Sequence, residues 1–305
     1  MSTTQSAKST IYYDCAVGNT VPYYDGTTTH YDVIPSCEVS TAMVSAASAG
    51  QIVIGNVYDV FWSHANTNIC VAMSASTGGG GGWASDTAGS NTARGSGYSQ
   101  LDNNNVAFIT NKNTVTNCFN GSTNYGSAAA HSLTYLGSFY SSANGQTGFT
   151  LGGASSGGTA GFIGIWNMYN RVSVQTFEED TFTSAANITA GTTGMINSSS
   201  SNRVSYVIGY AGDAANCEVI AAASVGASGM GSIGCGHDST TTISGLAGAS
   251  QQTGLTPMNG TYSALGDQGL HFFQAMGQAI TATLSVYGNG IGAPVHTGLM
   301  YSGTY

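Results

Sequence analysis

Short apolar or alternating segments recur at intervals of roughly 10–15 residues along nearly the whole chain, and clusters of Gly, Asn, Asp and Ser separate them. Such segments are strand-sized, and the turn residues between them favour reversal of the chain. Ile11–Cys15, Val21–Tyr24 and His30–Ile34 come first, divided by Gly18–Asn19 and Asp25–Gly26. Pro22 and Pro35 place them at edges or strand ends, because proline has no N–H to give a ladder. Gln51–Phe61 (QIVIGNVYDVF) is the strongest signal of the first half. Ile52, Ile54, Val60 and Trp62 fall on even positions, Val57 and Phe61 on odd ones, with a bulge or turn expected at Gly55–Asn56. Asn68–Met73 is the expected hairpin partner. Leu101–Thr110, Leu133–Tyr140, Phe162–Tyr169, Arg171–Phe177, Arg203–Tyr210, Glu218–Val225, Ser232–His237, Gly269–Met276, Thr281–Tyr287 and Gly298–Tyr305 continue the series.

No helical period competes. Ala42–Ala49 is rich in Ala, but Val44, Ser45 and Ser48 weaken it and Gly50 ends it, so at most one or two short helices are expected. The pattern predicts an all-β protein made of two antiparallel β-sandwich, jelly-roll-like lobes with Gly-rich loops. A chain of 305 residues is long for one sandwich and comfortable for two. Residues 1–10 are polar and aperiodic and are expected to form a flexible or anchoring arm. Residues 11–170 make the first lobe and 171–305 the second, divided between Trp166–Asn170 and Arg171. The run Gly78–Gly82 cannot be a strand interior and opens a loop reaching about Gly97.

Charge narrows the function classes. Only 6% of residues are charged and the net charge is −9, so nothing supports a counterion-releasing grip on nucleic acid. No apolar run reaches the roughly 18 residues of a membrane span, so no membrane insertion is expected. MSTTQSAKST has no apolar stretch, so no secretory signal is expected. With 17 Tyr and 10 Phe the chain is not a disordered one. The surface is expected to be hydroxyl, amide and glycine, which suits copies packed in an array or a face that meets saccharide. The acidic trio Glu178–Glu179–Asp180 stands near Arg171 at the expected lobe junction and reads as a solvated turn or a cation site.

No catalytic set emerges. Cys15, Cys37, Cys70, Cys118, Cys217 and Cys235 form no C-x-x-C pair, so they are either buried free thiols or disulfides within or between subunits. His30, His64, His131, His237, His271 and His296 are scattered. The C-G-H-D stretch at Cys235–Asp238 reads as strand-end packing, with a metal site as the alternative. Gly226–Met230 (GASGM) only loosely resembles a nucleophile elbow. Asp59, Asp102, Asp213, Asp238 and Asp267 are isolated, so a carboxylate pair for glycoside cleavage would have to form across subunits. No catalytic residue, cofactor or metal is therefore expected. Exposed aromatic rings are platforms for sugars, and Trp83, in the Gly-rich loop, is the leading candidate, with Tyr98 and Tyr125 beside it. Trp62 and Trp166 are expected in the core.

Several segments taken in order resemble a domain pair found in structural proteins of tailed bacteriophages. They are TVPYYDGTTTHYDVI (Thr20–Ile34), GNVYDVFW (Gly55–Trp62), the interrupted DT…TARGSG (Asp86–Gly97), HSLTYLGSFY (His131–Tyr140) and IWNMYNRVSV (Ile165–Val174). RVSYVIGYAGD (Arg203–Asp213), HDSTT (His237–Thr241), GLHFFQAM (Gly269–Met276) and GLMYSGTY (Gly298–Tyr305) follow. The "WN-YNRV" stretch is the most specific. The chain departs from the family in its low charge, its five-glycine run, and Leu133–Gly137, where relatives carry Arg-Arg before Tyr-Leu-Gly. The resemblance implies a non-enzymatic virion part, made in the host cytoplasm and displayed as a tail, neck or head fibre or capsid decoration. It implies other virion proteins as partners and a homo-oligomer, with a trimer favoured. A carbohydrate-binding adhesin that meets host surface polysaccharide, a glycan depolymerase and a purely architectural cement protein are the alternatives.

Overall fold

The computed structural model describes residues 4–15, 18–34, 36–46, 48–73, 101–102, 107–210, 212–250, 253–265, 268–291 and 296–305. Among them the backbone is nearly all strand, with three one-turn 3₁₀ segments and no α-helix. The all-β sandwich-type expectation is met. Ala42–Ala49 contributes the end of the strand Glu38–Ala42 and no helix, as its β-branched and Ser residues anticipate.

Val57–Ser63 shows how alternation builds the first half. It pairs antiparallel with Asn68–Met73 on one side, as expected, and with Leu133–Tyr140 on the other. Every residue of it is buried. Tyr58, Val60 and Trp62 enter one apolar cluster with Ile11, Val21, Ile34 and Ile52, while Val57 and Phe61 enter the other, larger cluster. The period of two thus sends one strand into two cores. Ile54, beside the turn expected at Gly55–Asn56, is exposed, and Gly55 takes a positive φ there. Leu101–Thr110 proves discontinuous: Leu101–Asp102 and Thr110–Asn111 are its only strand residues among those described.

The sheet of the second half is formed from two stacks of strands. One runs Gly161–Ile163, Arg203–Ile208, Gly269–Ala279, Gly231–His237. The other runs Thr256–Leu265, Ala214–Val225, Gly298–Thr304, Ser173–Asp180. Ser244–Ser250 passes from the first to the second, pairing with Gly231–His237 and, at Leu246 and Thr261, with Thr256–Leu265. Between the stacks lie Tyr206 and Phe273 from the first and Tyr301 from the second, with ring centroids 5.1–6.2 Å apart. Offset and tilted ring pairs at this spacing stabilise beyond their buried area.

Strand pairing continues across residue 170. Gly161–Ile163 pairs in parallel with Arg203–Ile208, and Ala154–Ser155 pairs in parallel with Glu179 and Asp180. The larger apolar cluster likewise holds residues from both sides of the expected boundary, among them Val57, Trp166, Val219 and Tyr301. Gln5–Lys8, from the expected arm, forms an exposed edge strand against Thr147–Thr150.

All six cysteines are paired. Cys15–Cys37 closes the end of the two-stranded sheet of Thr10–Asp14 and Glu38–Ala42. Cys70–Cys118 joins neighbouring strands of the first half. Cys217–Cys235 links the two stacks of the second half. Of the readings left open by the sequence, the structure takes bridges within one chain.

Candidate functional site

The strands Ser173–Asp180, Gly298–Thr304, Ala214–Val225 and Thr256–Leu265 lie side by side, with Ser173–Asp180 alternating regularly between buried and outward residues. Their register aligns outward residues into rows. Gln175 lies opposite Ser302, Ser302 opposite Asn216, and Asn216 opposite Ser263. The next row is Phe177, Met300, Glu218 and Thr261. A groove of about 490 Å³ is lined by Asn216, Glu218, Thr261, Ser263, Met300 and Ser302. Glu218 is already engaged by the Asn259 amide. The face is therefore hydroxyl, amide and thioether, with the Phe177 ring at its edge, donors and acceptors mixed and one acidic side chain. Such a face can exchange hydrogen bonds with a neutral polyol or with an identical face without desolvating strong charges.

A second exposed feature is the hairpin of Thr20–Tyr24 and Thr29–Val33. Asp25 turns it: its carboxylate accepts from the Thr27 and Thr28 N–H groups and lies 2.8 Å from His30 Nε2. Those two backbone bonds and His30 hold the Asp25 carboxyl down at about 2. Asp32 accepts from the Trp62 indole N–H at 2.7 Å and also meets His64 Nδ1 at 2.8 Å. His64 stacks on Tyr23 with centroids 3.6 Å apart. Tyr31 is 67% exposed and Tyr12, on the adjoining small sheet, 60%.

Of the candidate glycan contacts, Trp83 and Tyr98 lie outside the described residues. Tyr125 is half-buried and packs against the larger core, its N–H bonded to the Cys118 carbonyl. Trp62 and Trp166 are buried as expected. The exposed rings Tyr12 and Tyr31 were not distinguishable from core tyrosines in the sequence; the nearby Asp25–Gly26 turn was the available signal that Tyr31 stands on a projecting hairpin.

The C-G-H-D stretch does gather a cluster: His237, Asp238 and His271 offer atoms within 4.8 Å of one another. His271 Nδ1 lies 2.7 Å from Asp238 Oδ2 and Nε2 lies 3.0 Å from the Gln268 carbonyl. Both ring nitrogens of His271 lie against oxygen. Cys235 is bridged to Cys217. The cluster lies at the end of the strand Gly231–His237.

The acidic trio is not a solvated turn. It ends the strand Ser173–Asp180, with Glu178 and Asp180 buried and Glu179 on the other face. Nor does Arg171 meet it. The Arg171 guanidinium pairs with Asp213, which also accepts from the Trp166 indole N–H, and it sits 4.7 Å over the Trp166 ring.

No family model matches the chain, and no curated protein matches it. Among solved structures it is similar, at 9% identity and a TM-score of 0.17, to a Bacillus thuringiensis Cry1Da tryptic core variant. That comparison covers 99% of this chain and 50% of the other, so the chain spans about half that structure's length. A likeness at this level carries no argument about fold or function. No helix among the described residues is long and apolar enough to cross a membrane.

Proposed function

We propose that the chain is a non-enzymatic structural protein of a bacteriophage particle, displayed on the particle surface as a fibre, appendage or decoration, where it assists attachment to the host. The rows Gln175–Ser302–Asn216–Ser263 and Phe177–Met300–Glu218–Thr261 are the observation that carries the attachment role. They form a broad face in which amide and hydroxyl groups stand beside Phe177, Met300 and a single acid, Glu218, suited to a polysaccharide that offers both hydroxyls and apolar ring faces. Three disulfides support a protein that works outside the reducing cytoplasm in which it is made. The order of phage-like segments from Thr20 to Tyr305 supports the particle itself.

The test is binding to purified host-surface polysaccharide, by calorimetry, with wild type and an Asn216→Ala/Ser302→Ala double variant. We expect saturable binding, weakened at least about tenfold in the variant, since two lost hydrogen bonds are each worth about 1 kcal/mol. Absence of binding to every host polysaccharide would leave an architectural cement role. New reducing ends on incubation would show a depolymerase instead.

A further inference from the structure

Alternation along Ser173–Asp180 turns Val174, Thr176, Glu178 and Asp180 to the interior. Val and Thr are ordinary there; two carboxylates are not, because each must replace its hydration inside the protein. Asp180 does so. It accepts from the Gly157 N–H at 2.7 Å, from the Asn202 amide at 2.7 Å, from the Asn197 amide at 3.1 Å and from the Phe182 N–H at 3.3 Å.

Glu178 is different. It is 0% exposed, and among the described residues neither carboxylate oxygen has a hydrogen-bond partner. Asn202, 1% exposed, donates both amide hydrogens, to Asp180 and to the Ile196 carbonyl at 3.0 Å. Those two bonds fix which end of the amide is oxygen. Its Oδ1 therefore faces away from them, and it too is unpartnered. Gly158 shows where these oxygens point: a Cβ built on it would run into both Glu178 Oε1 and Asn202 Oδ1. Two of the three unpartnered acceptors, Glu178 Oε1 and Asn202 Oδ1, thus converge beside a backbone position kept bare of side chain. No Lys, Arg or His among the described residues pairs with Glu178 or Asp180.

Acceptors without donors call for a positive charge between them. We propose that Glu178 and Asn202 are ligands of a buried hard-cation site of the calcium class, with Asp180 as the hydrogen-bonded carboxylate that orients Asn202 and the Gly157–Gly158 turn around the ion. A carboxylate and an amide carbonyl are the oxygen donors such ions take, and their loose geometry suits a site assembled from a strand, a turn and a loop. A single proton satisfies the cluster less well. It would let Glu178 donate to Asn202 Oδ1 and would leave the second carboxylate oxygen bare.

The experiment uses the full chain, dialysed against EDTA and then titrated with CaCl₂. One calcium per chain is expected by calorimetry, with a melting temperature raised by about 3–5 °C at a free ion concentration a hundredfold above Kd. Glu178→Gln keeps the shape and supplies a donor to Asn202. It should fold without calcium and lose the response. Hydrogen exchange on the wild type provides a readout that does not depend on the variant. Calcium should slow exchange of the 157–159 amides at least about tenfold. The proposal is overturned by the absence of any calcium effect, by a response that survives in Glu178→Gln, or by protection confined to other segments. The first outcome, with Glu178→Gln at least as stable as wild type, would assign the cluster a proton instead.

Discussion

Asp213 shows how one side chain can hold a junction. It accepts from the buried Trp166 indole and pairs with Arg171, whose guanidinium also reaches the Thr304 carbonyl. Asp213→Ala would strand a buried N–H and half-buried guanidinium, so we expect a loss of about 1–3 kcal/mol in urea unfolding at neutral pH. Asp25 makes a prediction about pH. Its folded pKa lies below the ordinary carboxylate value, so its ionised form is favoured by the hairpin. The contribution is present above about pH 4 and disappears as pH falls through about 2. A carboxyl carbon titration by NMR should place the Asp25 midpoint near 2; a midpoint near 4 would mean that the turn does not hold it. The burial of Trp62 and Trp166 was legible from the sequence, because each sits in an apolar strand. Their partners were not, since Asp32 is 30 residues from Trp62 and Asp213 is 47 from Trp166. The acidic trio was misread for a related reason. Three adjacent acids resemble solvent-facing chain until the neighbouring strands Gly298–Thr304 and Ala154–Ser155 are in place.

At the scale of elements, local pattern carried far. Val57–Ser63 and Asn68–Met73 announced themselves by alternation and by the short turn between them, and they pair as expected. What no local pattern encodes is which distant strand lies alongside. The parallel pairing of Gly161–Ile163 with Arg203–Ile208 is of this kind, and it draws the first half into the sheet of the second. The Cys217–Cys235 bridge spans the two stacks of that sheet across a separation of 18 residues. Cross-linking at this separation stabilises by about 3 kcal/mol through the unfolded chain. Replacing both cysteines by Ala should lower the melting temperature by several degrees and leave the circular dichroism of the folded state unchanged. The turn before Gly161 makes a sharper test of packing. Gly158 has a positive φ of 79° and no room for a side chain, so Gly158→Ala should cost well over about 1 kcal/mol, whereas Gly191→Ala, at a similar φ with open space around it, should be milder.

For the whole molecule, the scarcity of charge acquires a location. The outward rows of the second-half sheet through Asn216 and Glu218 are mostly amide, hydroxyl and apolar, with Glu218 their one acid, while three of the 14 acids, Asp59, Glu178 and Asp180, are turned inside. Sequence alone specified a surface poor in charge; the register supplied the face on which its amides and hydroxyls line up. The edge strand Thr29–Val33 leaves Tyr31 and Val33 exposed, and covering such an edge with another copy is the simplest way to protect it. Light scattering after gel filtration should therefore give an oligomer at micromolar concentration, a trimer being the state the phage resemblance implies, and a stable monomer would refute self-association. The central claim is that the protein is an external part of a phage particle. Gold-labelled antibody to this chain, imaged by electron microscopy on intact purified particles, tests it most directly. Label at a fixed position on the outside of intact particles is the predicted result. Intact particles that carry no label, and whose dissociated proteins include none of this chain by mass spectrometry, would contradict it.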